Sequence, residues 1–346
     1  MRLKGKTAGY KFLISFNFHA PMKLITDGVW SLSKEHLKIL KTAERCMKSH
    51  TTIPFDTLKH RSQIRGNFME HAIDLCKLKF LSYVENGYKL TYSGHDCLAI
   101  NSLRLRGLEM MGDKIGVGKE SDIYLGVYCG KDSILKFHRL GRSSFRNVRK
   151  NREYASERVD WLGLSKTSCK REVAYLEKFK DMNVPAVLDY DRHVIVQELL
   201  DYLPLYKTCV SDVSTIFWLM IEFIKDLWRR GYVHGDFNEF NVLVKDDIKV
   251  IDFPQCIRNS DERAVHYLRR DFECVLTYFK KKYRYEPEYG LDTFMSELGI
   301  EDHPCKSHGT TPEDLSTFSA DEGDIQKEER LLESRIEEVS IFSHEG

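Results

Sequence analysis

The stretch V233-H-G-D-F-N-E-F-N-V-L-V244 places two carboxylates, two asparagines and a histidine between apolar ends. The preceding residues 213–231 are apolar at helical spacing and stop at Gly231, a residue type that ends helices. The following residues KVIDFPQ, 249–255, begin as a short apolar strand. The polar centre is therefore a loop held by a helix and a strand, the usual setting for reacting groups on a rigid scaffold. Asp236 and Asn241 stand five residues apart, and Asp252 stands at the end of the next strand. Three oxygen-bearing side chains so arranged suit a hard cation such as Mg²⁺.

Further upstream, Gly116-Val117-Gly118-Lys119-Glu120-Ser121 lies between two strand-like segments, GDKIGVG and SDIYLGVY. Glycines in such a turn let backbone amides approach a phosphate, because no Cβ intervenes. Ser121 stands where G-x-G-x-x-G has its third glycine, and the spacing differs from a P-loop. Lys136 sits in the apolar strand SILKF, 133–137, and Glu172 on the amphipathic segment 169–182. A lysine paired with a glutamate aims its ammonium at nucleotide phosphates. Taken singly, each residue has an ordinary reading as turn former, cap or edge residue. Taken in order, glycine turn, Lys136, Glu172, Asp236-x4-Asn241 and Asp252 follow the plan of protein-kinase phosphoryl transfer, where catalytic loops read H-R-D-x-x-x-x-N.

The length agrees with a protein of two or three domains, and the succession of helical and strand-like segments with an α+β fold. The chain has 346 residues, 42% hydrophobic and 12% aromatic, and a formal net charge of +1, so partners must be read from local patches. The nine cysteines are scattered without a C-x-x-C pair, which predicts reduced thiols and no zinc site of ordinary spacing. No apolar run reaches bilayer length, and the N-terminal segment lacks the features of a signal peptide. No membrane partner is expected.

Residues 33–98 read as a separate small unit. Helical spacing over 34–50, 54–62 and 67–80 is followed by a hairpin with a turn at Asn86-Gly87. Three helices and a hairpin predict a winged helix, a module that engages nucleic acid through a helix and hairpin. Residues 139–158 carry Arg139, Arg142, Arg146, Arg149, Lys150, Arg152 and Arg158, interleaved with Phe145 and Tyr154. They read equally as a solvated face or as an RNA contact.

GVGKESDIY, LKFHRLGRSSFRNVRKNREY, HGDFNEFN and IDFPQ closely resemble the RIO atypical kinases, and the winged-helix unit resembles their second subfamily. The resemblance covers about residues 23–290. It implies an N-terminal winged helix, 22–100, followed by a compact two-lobed protein-kinase-like domain, 101–295, with lobes at about 108–200 and 201–295. Residues 1–21 are then a disordered extension and 296–346 an acidic, mobile tail. The resemblance further implies ATP and Mg²⁺ as cofactors. Gly116, Val117, Gly118 and Ser121 would form the phosphate loop, Lys136 and Glu172 the phosphate-contacting pair, and Gln197, Glu198 and Leu200 the hinge facing adenine. Asp236 would be the catalytic aspartate, and Asn241 and Asp252 the metal ligands. Asp252 would also accept phosphate as an aspartyl-phosphate.

The resemblance implies an ATPase switch or serine/threonine kinase in maturation of the small ribosomal subunit and rRNA processing. Its expected partners are the pre-ribosomal subunit, its rRNA and assembly factors. The expected location is the cytoplasm, with shuttling through the nucleus. Two other readings are a small-molecule phosphotransferase of the aminoglycoside or choline kinase type and a non-catalytic rRNA-binding factor. Ile134 stands where ordinary kinases have alanine and is expected to narrow the adenine pocket. Gly235 replaces the arginine that pairs with a phosphorylated activation loop, an expected sign of control by a partner.

Overall fold

Ser33 starts the first helix: its hydroxyl accepts from His36 N, and the His36 ring lies against Ser33 N in return, satisfying amides that a helix start leaves open. The computed structural model describes residue 29 and residues 31–118, 120–140 and 161–300. The N-terminal extension, Lys119, all of the basic stretch but Arg139 and most of the acidic tail lie outside these residues. Contacts divide the chain into two units, one of residues up to Gly116 with Tyr124–Gly130, the other of Val117–Ile123 with the residues from Lys131 onward.

In the first unit, helix α1 (Lys34–Met47), strand β1 (Ile53–Pro54), α2 (Phe55–Ser62), α3 (Phe68–Lys77), β2 (Leu81–Val84) and β3 (Gly87–Leu90) follow one another. The strands form an antiparallel sheet in the order β1-β3-β2. This is the winged-helix layout that the sequence predicts, with a short first strand that the sequence does not reveal. The hairpin register differs by one residue. Val84 pairs with Gly87, so the turn is Glu85-Asn86, both at positive φ (48° and 62°), as a two-residue hairpin turn requires. Gly87 serves another purpose: a Cβ there would stand 2.5 Å from the Ile53 carbonyl oxygen of β1.

A further correction concerns the residues after Leu90, which the sequence pattern presents as strand. They form α4 (Tyr92–Arg106), whose N-cap Thr91 accepts from Gly94 N. This helix buries residues on nearly every side, His95 and Asp96 included, so it shows no amphipathic stripe by which periodicity could find it.

Strands β4 (Leu108–Val117), β5 (Ser121–Tyr128) and β6 (Lys131–His138) come next, as expected around the glycine turn. Helix α5 (Trp161–Lys178) starts earlier and ends earlier than the 169–182 segment predicts. Strands β7 (Val187–Asp191) and β8 (Val194–Glu198) pair antiparallel, and β8 pairs with β6. The rest of the second unit holds β9 (Leu203–Pro204), α6 (Val213–Arg229), β10 (Tyr232–Val233), β11 (Val242–Val244), β12 (Ile248–Val250), β13 (Ile257–Arg258), α7 (Ala264–Tyr283) and α8 (Leu291–Glu297). Its core centres on Phe217, Phe237, Phe253, Phe272, Phe279 and Phe294. Among the described residues no helix is long and apolar enough to cross a membrane, and the eight described cysteines are free thiols.

Candidate active site

The predicted loop lies between β10 and β11, and helix α7 fixes it from behind. Asp271, buried on α7, accepts the amides of Gly235 at 2.8 Å and Phe237 at 3.0 Å. Burial pushes the Asp271 carboxyl up to about 6, against the pull of those two amides. Its neighbour Arg270 donates to the Gly235 carbonyl. Gly235 has φ +78, and a Cβ there would meet the Gln255 carbonyl oxygen at 2.8 Å. The glycine thus has a steric reason of its own, beside the regulatory one that the sequence suggests.

His234 is buried, and burial first of all depresses its pKa to about 4. Its neutral ring bridges two reacting segments. Nε2 lies 3.3 Å from the Ile251 carbonyl oxygen, and Nδ1 accepts from Asp236 N at 3.3 Å. Those two partners assign the proton to Nε2. The ring also packs on Phe253, centroids 4.8 Å apart. The strand end bearing Asp252 is therefore tied to the loop bearing Asp236.

The Asp236 carboxylate accepts from Asn238 Nδ2 at 3.1 Å and Asn241 Nδ2 at 3.2 Å. Burial raises its pKa first, the charge of Asp252 second. A carboxylate raised by its burial and by the charge of a second carboxylate is one that a bound cation would favour in its ionised form. Because the Asn241 amide nitrogen faces Asp236, its carbonyl oxygen is the group turned to other partners. Asp252 has φ +72, a costly backbone state for a residue with a Cβ, and Phe253 beside it is fully buried.

Lys136 joins the two halves of the site. Its Nζ donates to Glu172 Oε1 at 2.6 Å and to Asp252 Oδ1 at 2.8 Å. Burial alone would lower the lysine pKa, but the two carboxylates outweigh it and hold it above its ordinary value. Burial opposes ionisation of Glu172 as well. Lys136 and then His138, whose Nε2 lies 3.1 Å from Glu172 Oε2, keep its pKa well below the usual carboxylate range.

Other predicted residues take their places without converging so tightly. Gly116 and Val117 end β4, and Gly118 N donates to Ser121 O at 2.7 Å, closing a turn before β5. A Cβ on Gly118 would press on Ser121 at 3.3 Å. Gln197 is buried in β8 opposite Ile134, which is only partly buried. Glu198 ends that strand, with both its amide and its carboxylate engaged by Ala186. Leu200 lies just beyond. Arg139 is corrected: it is buried and paired with Asp122 at 3.0 Å, so it belongs to no solvated basic face.

Sequence reasoning misses Asp271, Arg270, Asn238 and His138. Asp271 has a signal, since it interrupts the apolar stripe Leu268, Phe272 and Val275 on α7. A carboxylate on a core-facing stripe needs donors.

The RIO domain family matches residues 122–290, and the Rio2 N-terminal family matches residues 29–106. The chain is 37% identical to serine/threonine-protein kinase rio2 of Schizosaccharomyces pombe over 74% of its own length and 78% of that protein. The chain belongs to the Rio2 branch of the RIO kinases. It is 36% identical to serine/threonine-protein kinase RIO2 of Saccharomyces cerevisiae, over 77% of this chain and 68% of that one. Among solved structures it is similar to a Rio2 kinase–ADP/Mg²⁺–phosphoaspartate complex from Chaetomium thermophilum. The TM-score is 0.71 and the identity 30%, covering 80% of this chain and 89% of that chain. A second structure of the Rio2 kinase from that organism also aligns with a TM-score of 0.71. A RIO kinase domain behind a Rio2 N-terminal domain is thus the architecture of this chain, and the family is one of kinases.

Proposed function

We propose that this kinase uses Mg²⁺ and ATP, takes phosphate onto Asp252, and acts as an ATPase switch in maturation of the small ribosomal subunit. The observation that carries the catalytic part is Lys136 held between Glu172 and Asp252, with Asp236 and Asn241 on the adjoining loop. The donor set fits the metal: Asp252, whose side chain is 42% exposed, and the Asn241 carbonyl are hard oxygen ligands. Bound Mg²⁺ would neutralise charge on the phosphates. Lys136 would turn from Asp252 toward those phosphates while Glu172 keeps it oriented. Glycine amides of the 116–121 turn would contact phosphate oxygens. Gln197, Glu198 and Leu200 would border the adenine.

In a transfer to Asp252, its carboxylate oxygen bonds the γ-phosphorus as the bond to the β-phosphate oxygen breaks, and ADP leaves with that electron pair. A water then attacks the acyl phosphate, with Asp236, its pKa raised, placed to take the proton. The C. thermophilum Rio2 complex with ADP, Mg²⁺ and a phosphoaspartate supports this reading. The ribosomal role, with pre-ribosomal RNA and assembly factors as partners and a cytoplasmic location with nuclear shuttling, is supported by the family resemblance.

The test is incubation of the purified chain with γ-labelled ATP and Mg²⁺. Label should remain on the protein and be released by hydroxylamine, which cleaves acyl phosphates. It should be absent in Asp252→Ala and Lys136→Ala. Hydroxylamine-stable label would replace the aspartyl-phosphate with a serine or threonine ester. Full turnover in both variants would overturn the site assignment.

A further inference from the structure

The exposed positive charge of the winged-helix unit is unevenly spread over its helices. Helix α3 exposes Met69, Glu70 and Ile73, and its Lys77 pairs with Asp74 at 3.3 Å. With Glu70 and Asp74 beside its single lysine, that helix has no excess of positive charge to offer a phosphate. Helix α1 is the opposite. Lys34, Lys38, Lys41 and Arg45 are all exposed and recur at steps of four, three and four. At 100° per residue they fall on one narrow face, within about 60° of arc. Exposed Lys48, at the C-cap, continues it.

The stripe ends at a cavity of about 350 Å³ between α1 and α2, lined by Thr42, Arg45, Cys46, His60, Arg61 and Gln63. Arg45 and Arg61 lie on its two walls. The Arg45 guanidinium reaches the Thr42 hydroxyl at 3.3 Å, and Arg61 reaches Cys46 Sγ at 3.8 Å. Among the described residues neither is paired with a carboxylate. The Lys38 ammonium donates to the Gln63 carbonyl at 3.1 Å, at the left-handed residue ending α2. That bond draws the stripe to the mouth of the cavity. Basic residues in the last turn of α2 also complement its helix dipole. The dipole gives no reason for the four-residue stripe, which runs from the first turn of α1.

We propose that α1 and the α1–α2 cavity bind the phosphodiester backbone of RNA, with one phosphate seated between Arg45 and Arg61 and its neighbours along Lys41, Lys38 and Lys34. Guanidinium groups on two walls match the oxygens of one phosphate, and lysines along a helix track successive ones. The proposal rests on RNA being a partner of this chain and places the contact on α1.

The test is fluorescence anisotropy of the full chain with a short labelled RNA hairpin, over a salt series from about 50 to 200 mM. Wild type should bind with steep salt dependence. Arg45→Glu with Arg61→Glu should weaken binding by about tenfold or more and lower the salt slope by about one phosphate contact. The corresponding double alanine variant should show a smaller loss in the same direction, with melting temperature unchanged in both. Met69→Ser with Ile73→Ser on α3 should leave affinity within about twofold, since apolar groups release no counterions. Wild-type affinity in the arginine variants, with RNA still bound, would overturn the site alone. So would an equal loss from the α3 variant, or displacement of the RNA by a phosphoserine peptide at equal phosphate concentration. Absence of salt-dependent RNA binding by wild type would overturn the site and the RNA partner together.

Discussion

Gly235 illustrates how much one side chain's absence decides. Its φ of +78 and the 2.8 Å approach of the Gln255 carbonyl leave no room for a Cβ. The loop must take this path because Asp271 holds the amides of Gly235 itself and of Phe237. Gly235→Ala should therefore destabilise the protein by about 1–3 kcal/mol, the cost of a strained backbone at an over-determined site. Urea unfolding measures that loss, and ATP turnover should fall with it. Restoring the kinase arginine, Gly235→Arg, should be no better, because the obstruction begins at Cβ. A variant as stable as wild type would refute the steric account and leave the regulatory reading of this glycine standing.

Helix α7 is the element that turns a loop into a site. It presents Asp271 to the amides of residues 235 and 237, and burial raises that carboxyl to about 6. The folded state therefore holds this proton more tightly than the unfolded chain, whose aspartate titrates near 3.9. By linkage, the stabilising contribution is complete below the unfolded value and is lost as pH rises through about 6. Asp271→Asn removes this titration. Comparing unfolding free energies at about pH 4.5 and 7, wild type should gain roughly 2 kcal/mol more on acidification than the variant. Glu172 works the other way: its depressed pKa gives stability present above the ordinary carboxylate range and lost in stronger acid. The comparison is accordingly made above that region. Equal pH dependence in the two proteins would show that Asp271 is not protonated in the folded state. At neutral pH the asparagine keeps one acceptor and loses the other, so ATP turnover should drop while the fold persists.

At the scale of the whole molecule, the proposed site draws on elements far apart in sequence. Lys136, Glu172 and Asp252 lie on β6, on α5 and beyond β12, and the Lys136–Asp252 bond spans 116 residues. A ligand that bridges these elements should stabilise the chain by mass action. Mg²⁺ with ADP at about a hundred times Kd should add about 2.7 kcal/mol, read as a rise in melting temperature. Asp252→Asn should lose the Mg²⁺-dependent part of that rise and keep the part given by ADP alone. An identical Mg²⁺ response in the variant would remove Asp252 from the metal site.

The order of chemical groups is legible from the chain alone. The glycine turn, Lys136, Glu172, Asp236, Asn241 and Asp252 are each marked by a polar residue in an apolar or glycine-rich setting, and that contrast survives in one dimension. The basic stripe of α1 is legible in the same way, as a four-three-four repeat. Helix α4 is not, because a helix buried all round has no polar face to set the period. The hairpin register is displaced by one residue because Asn-Gly is a strong turn signal on its own. What assigns Gly87 to the strand is close packing against Ile53 in β1. Arg139 looks like one more surface charge until Asp122, 17 residues earlier in the chain, proves to be its buried partner. Sequence thus determined which groups are present and their order along the chain. Tertiary structure decided which of them meet, because the burial that shifts the pKa of Asp271 and His234, and the Lys136 and His138 partners that depress Glu172 against its own burial, belong to the folded core and are encoded by no single segment.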